Sequence, residues 1–142
     1  MITVQDMQGK YDLFNGDDPS AIVKQFAEGG VYKQLDSGKV AIGRDEIAEV
    51  MAGWKHFFTG AQIQDVTVTE APHLARDFDG AEQCFVVDFV GVGAYDNTIP
   101  GLEQAAPAKG QEVHLPIGET VWVDGDGKFL QVENTIQITA LQ

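Results

Sequence analysis

Arginine is nearly missing from this chain: Arg44 and Arg76 are the only two. Across 142 residues, nine basic side chains face 22 acidic ones, a formal net charge of −13. That field repels nucleic acid and anionic membrane surfaces, so neither is an expected partner. It disfavours polyanionic substrates unless a local basic patch exists, and it suits a neutral or cationic small molecule. Taken alone, the acidity is sufficiently explained by solubility.

Cysteine is represented once, by Cys84, so no intrachain disulfide can form and a reducing compartment is the simpler assumption. The first residues lack the basic-then-apolar pattern of a secretory signal, and no apolar run approaches membrane-spanning length. The expectation is a cytoplasmic protein. Ser20 and Ser37 are the only serines, at a helix start and a turn, and no Gly-x-Ser-x-Gly occurs. Serine-type acyl transfer is therefore not expected. His56, His73 and His114 show no close ligand spacing, so no metal site is expected. Gly91-Val92-Gly93 lacks the third glycine and following helix of a dinucleotide fingerprint. Asp124-Gly125-Asp126-Gly127 starts like a calcium loop but fails at Lys128 and Phe129, which makes it a hairpin turn. No cofactor is implied.

What is present is 44% hydrophobic content, enough for one domain over residues 1–142. Val4, Met7, Tyr11 and Phe14 recur at helical spacing up to Asn15-Gly16. Asp18-Pro19 suits an N-cap and first-turn proline for a short second helix, with Ile22, Val23 and Phe26 as its stripe, ending at Gly29-Gly30. Val31 to Leu35 reads as a short strand. A third helix starts near Gly43-Arg44-Asp45 and buries Ile47, Val50, Met51, Trp54 and Phe58. Beyond Gly60 the period becomes that of strands, over 63–71, 82–94, 111–123 and 128–139, with a loop at 96–110.

Three polar residues interrupt apolar faces among those strands. Val113, Leu115, Ile117, Val121 and Val123 alternate around Glu119; Leu130, Val132, Ile136 and Ile138 around Asn134; Cys84, Val86, Val90 and Val92 around Asp88. Side chains alternate with period two, so each interruption points where its apolar neighbours point. An unpaired carboxylate there is costly, so such groups are paired, protonated or facing a cavity. A hairpin pairing Val123 with Leu130 places Glu119 opposite Asn134. The alternative is a buried polar network that only fixes register. If a pocket exists, Asp88 serves as base, Glu119 as acid or oxyanion donor, and Asn134 orients a substrate carbonyl. Cys84 on the apolar face reads as a small buried hydrophobe.

Several stretches carry a resemblance to the nuclear transport factor 2-like superfamily. Tyr11-Asp12-Leu13-Phe14-Asn15-Gly16-Asp17 resembles the end of its first helix, Ala21-Ile22-Val23 with Phe26-Ala27 its second, and Gly43-Arg44-Asp45-Glu46-Ile47 the start of its third. Pro100-Gly101, Lys109-Gly110 and Asp126-Gly127-Lys128-Phe129 are similar to the loop and final hairpin of SnoaL-like polyketide cyclases. The resemblance implies an α+β fold in which three N-terminal helices pack on a curved antiparallel sheet, forming a cone with an internal pocket. It also implies that Glu119 falls where ketosteroid isomerases place a pocket acid, a group that such sites keep neutral to donate to an oxyanion. Their general-base position falls near Gln34, with Asp36 close by, and their pocket tyrosine nearest Lys10, one residue from Tyr11. The terminal Trp-and-Asp pattern of the cyclases is absent at Glu133 to Gln137, and no arginine stands between sheet acids as in limonene-type epoxide hydrolases.

The expected ligand is a neutral hydrophobic small molecule, contacted by Tyr11, Trp54, Phe58, Val121 and Val132. A non-catalytic binding or assembly module of the same fold is the alternative. Phe85, Val87 and Phe89 beside Thr120 and Trp122 suggest an aromatic outer face and hence a homodimer.

Overall fold

The computed structural model describes residues 1–95 and 110–137. Helix α1 (Val4–Asp12) starts at Thr3, whose hydroxyl accepts from the Asp6 backbone N–H while the Asp6 carboxylate accepts from that of Thr3. This reciprocal pair satisfies two donors of the first turn. A 3-10 turn (Leu13–Asn15) and a one-turn helix α2 (Ser20–Val23) follow. Strand β1 (Phe26–Gln34) and β2 (Lys39–Ile42) form a hairpin, and α3 (Arg44–Phe57) leads directly into β3 (Phe58–Glu70). After a short α4 (Pro72–Ala75) come β4 (Gln83–Tyr95), β5 (Glu112–Val123) and β6 (Phe129–Ile136).

The six strands make one curved, open sheet in the order β2-β1-β6-β5-β4-β3. All neighbours are antiparallel except β1 and β6, which run parallel. The sheet is thus mixed, where an antiparallel one was expected. The cause is that Phe26 to Gly30, expected in a second helix, instead begins β1, which enters the sheet beside the last strand. Two glycines there remove the helical stripe, and the β1–β6 register slips between Phe26 and Val31. Gly30 is needed at the slip, because a Cβ would lie 3.0 Å from the carbonyl oxygens of both Ala27 and Phe129. The Arg44 side chain donates to the Phe26 carbonyl at 2.8 Å and ties this segment to α3.

Helices α1 and α3 cover the concave face, where Met7, Ile47, Phe85, Val87, Val121 and Val132 are fully or almost fully buried. The convex face is partly covered near α4: Trp122 stacks on Phe78 at 5.0 Å and donates its indole N–H to the Leu74 carbonyl. Phe85, Val87 and Phe89 point to the concave side, not to the outer face expected of them. Residues 96–109, with Pro100-Gly101 and Lys109, and Ile138 at the expected end of the last strand, lie outside the described residues. No described helix is long and apolar enough to cross a membrane.

Candidate functional site

Strand β5 alternates as its sequence requires. Val113, Leu115, Ile117, Glu119, Val121 and Val123 are buried and their neighbours are less so. Glu119 lies directly opposite Asn134 on β6. The predicted pairing of Val123 with Leu130 does not occur: Val123 pairs with Phe129, and a bulge at Leu130 absorbs the difference. The bulge turns Phe129 inward without disturbing the Glu119–Asn134 pair.

A cavity of about 100 Å³ opens between this face and the helices. Glu119 is 8% exposed and Asn134 1% exposed, and both line it. Three donors converge on the carboxyl group. The Tyr11 hydroxyl donates to Oε1 at 2.6 Å, the Asn134 amide to Oε2 at 2.8 Å, and the Tyr32 hydroxyl to Oε2 at 3.2 Å. Burial pushes Glu119 above the ordinary glutamate value, and the hydrogen bonds from Tyr11, Asn134 and Tyr32 oppose that shift. Both phenols are raised well above the usual tyrosine value, first by their own burial and then by the Glu119 charge. The Asn134 Oδ1 is buried with no hydrogen-bond partner.

Local anchoring holds these groups. Tyr11 sits four residues beyond fully buried Met7, so it shares the face of α1 that looks onto the sheet. The turn after α1 is clamped to β3 by Asn15, which donates to the Ile63 carbonyl and accepts from its N–H. Lys55 on α3 donates to the Phe14 and Ala61 carbonyls. Tyr32 enters the concave face through the parallel pairing of β1 with β6, opposite Val132.

Of the residues expected to contact a ligand, Tyr11, Trp54, Phe58 and Val132 line the cavity. Trp54 and Phe58 stack on each other at 5.9 Å and leave the space beside Glu119 open. Val121 is fully buried in the core and takes no part in the cavity wall. It pairs with Phe85 on one side and Val132 on the other, and core packing closes over it.

Asp88 does not join the site. In the β4–β5 register Val87 faces Glu119 and Asp88 faces Gly118, so Asp88 projects from the convex side and is exposed. Its assignment as the pocket base is corrected accordingly. Asp36 is no substitute, since its carboxylate accepts from the Ile136 N–H and caps the end of β6. Among the described residues lining the cavity, Glu119 is the only carboxyl group. Gly91 and Gly93 on β4 line the cavity too, and their missing side chains leave it room. Cys84 is buried and its thiol is pushed up to about 11, chiefly by that burial, so it is unsuited to nucleophilic work. No cluster of metal-ligating side chains occurs among the described residues.

Solved structures share this architecture. A candidate polyketide cyclase from Xanthomonas campestris pv. campestris superposes with a TM-score of 0.72 at 27% identity, covering 96% of this chain and 93% of its own. A SnoaL-like polyketide cyclase candidate from a Jannaschia species gives 0.70 at 17%, covering 97% and 87%. The chain has the nuclear transport factor 2-like fold. A Catenulispora acidiphila protein of ketosteroid isomerase-like fold, solved with trimethylamine, gives 0.67 at 16%, covering 94% and 85%. No family model matches the sequence, and no protein of curated function does. Within this nuclear transport factor 2-like cone, sequence reasoning found Glu119, Asn134 and Tyr11 but missed Tyr32, Phe89, Phe129 and Lys10 as lining residues. Lys10 carried a signal in its spacing, three residues beyond Met7 on the inward face of α1.

Proposed function

We propose that the cone binds a hydrophobic small molecule through a neutral, buried portion, and that Glu119 moves a proton at that portion, next to a carbonyl. One observation carries this reading: Glu119, the one buried carboxyl group among the described residues, is raised above its ordinary range and faces a cavity whose remaining described wall is largely apolar. Isomerisation, aldol-type cyclisation and dehydration all need such a transfer, and each can use one group that removes a proton and returns it elsewhere.

The proton inventory sets the order of events. While Glu119 is ionised, the hydroxyl protons of Tyr11 and Tyr32 and one amide proton of Asn134 are committed to it. The site then offers acceptors: a remaining Glu119 lone pair and the unpartnered Asn134 Oδ1. It is set to remove a proton from a ligand. Once Glu119 is protonated it becomes a donor, and Tyr11 can turn its hydroxyl proton toward a ligand oxygen where negative charge has developed. In this scheme Glu119 is the base and then the acid, Tyr11 the oxyanion donor, and Asn134 the orienting group.

A non-catalytic binding module is the second reading, favoured by the same three donors, which suit a fixed structural carboxylate. Exchange of carbon-bound hydrogen separates the two. A panel of hydrophobic ketones is incubated with the protein in heavy water, and deuterium next to the carbonyl is followed by NMR. Proton transfer predicts enzyme-dependent incorporation that Glu119→Gln lowers by at least about a hundredfold while ligand affinity changes little. Binding without incorporation across the panel supports the module instead.

A further inference from the structure

Two of the nine basic residues of this acidic protein, Lys10 and Lys128, come together at the cavity wall that Lys10 lines. Lys10 lines the wall and is half-buried, with its ammonium 2.6 Å from the Gln25 Oε1 and 5.9 Å from the centre of the Phe129 ring. Gln25 is itself held, since its amide nitrogen donates to the Ala21 carbonyl. Lys128 lies close enough to repel Lys10, and its own ammonium donates to the Lys24 carbonyl. Among the described residues no carboxylate lies within ion-pair distance of Lys10 or Lys128. The nearest acid influence on Lys10 is Asp6, one helical turn away and engaged in the helix cap.

Burial lowers Lys10 first and the Lys128 charge lowers it further, Asp6 opposes the shift, and no described carboxylate is in direct contact with either ammonium. An ammonium has three donors and Gln25 uses one, leaving two for a ligand. The polar head of the site is near, because Phe129 lies 6.4 Å from Tyr11 as well as beside Lys10. A ligand whose body rests on Phe129 reaches both Glu119 and Lys10.

We propose that the ligand carries one carboxylate in addition to its buried neutral portion, and that Lys10, oriented by Gln25 and reinforced by Lys128, receives it. This deepens the proposed function and rests on its cavity. The ligand class becomes a hydrophobic monocarboxylic acid. A dianion such as a phosphate is disfavoured because Lys10 alone, among the described residues, brings an ammonium to the cavity wall. At physiological ionic strength charges beyond about 8 Å are screened, so the local lysines outweigh the net charge for a group in contact with them.

The test compares hydrocinnamate, hydrocinnamamide and hydrocinnamyl alcohol by calorimetric titration of the native protein, with Trp54 fluorescence as a second readout. The acid is expected to bind at least about tenfold more tightly than the amide, the scale of a charge-assisted hydrogen bond. Raising the ionic strength shrinks that preference. Lys10→Gln abolishes it without weakening amide binding, Lys10→Arg keeps most of it, and Lys128→Gln reduces it should Lys10→Gln fail to fold. Equal binding of acid and amide, or a preference that survives Lys10→Gln, overturns this proposal while leaving the cavity reading intact. Failure of all three compounds to bind overturns the cavity reading and this proposal with it.

Discussion

On the concave side of the sheet Glu119 sits opposite Val87 and Asn134 with three donors on its oxygens, while one register step away Asp88 sits opposite Gly118 and faces solvent. The two acids share a sheet and lie on adjacent strands. What separates them is strand parity, and parity decides which acid can do chemistry. The carboxyl on the inner face has lost most of its water, gained fixed partners and been raised in pKa, whereas the outer one keeps its solvent. The sharpest way to break this comparison is to neutralise each acid in turn. Glu119→Gln is expected to lower ketone-dependent deuterium incorporation by at least about a hundredfold, and Asp88→Asn to leave it within about twofold. A comparable loss in Asp88→Asn would bring the outer face into the mechanism and undo the assignment.

That parity was legible for β5 and not for β4. Along β5 the aliphatic residues Val113, Leu115, Ile117, Val121 and Val123 occupy one parity, while Glu112, His114, Pro116, Gly118, Thr120 and Trp122 fill the other, so the aliphatic face is the one to be buried. Strand β4 is apolar on both: Cys84, Val86, Val90 and Val92 on one, Phe85, Val87, Phe89 and Tyr95 on the other. Period two cannot choose between them. The aromatic parity goes inside because each phenylalanine removes more apolar area from water than a valine. Gly91 and Gly93 share that parity, so the same face also supplies the space of the cavity. The pairing of Glu119 with Asn134 could be read from a hairpin of short, determinate length. The contact of Tyr32 with Glu119 could not, since it depends on a parallel pairing between the first and last strands that no local pattern encodes. The helical spacing of α1 brought Tyr11 and Lys10 to the sheet, but which groups they would meet depended on that same long-range pairing.

The inner and outer faces can also be compared through neighbouring residues of β6. Asn134 is buried and donates to Glu119; Thr135, next to it, is exposed, with its hydroxyl on the Gly118 carbonyl. Removing the Asn134 amide strips a donor from a buried carboxyl group, so Asn134→Ala is expected to cost about 2 kcal/mol in chemical denaturation. Thr135→Ala should stay within about 0.5 kcal/mol. Equal costs would mean that Glu119 is better hydrated than its burial implies, and the reading of a dry polar head would fail with it.

The smallest expected effect is a drift of stability with pH that belongs to Glu119 alone. Its folded value is raised above the ordinary 4.5, with burial the leading cause. Between the unfolded value and the raised folded value, the native state binds more protons than the unfolded chain. Stability from this group therefore falls as pH climbs from about 4.5 through the folded value, with a slope no steeper than about 1.4 kcal/mol per pH unit. Glu119→Gln lacks that titration, so its melting temperature relative to the native protein should improve steadily across the same interval. Tyr11→Phe removes a hydrogen bond that holds Glu119 down, and so should push the carboxyl higher and extend the drift to higher pH. Carbon-13 titration of the Glu119 carboxyl group in both proteins checks the order directly. A value at or below the ordinary one, unmoved by Tyr11→Phe, would make Glu119 a well-solvated carboxylate and remove the feature that sets the concave acid apart from the convex one.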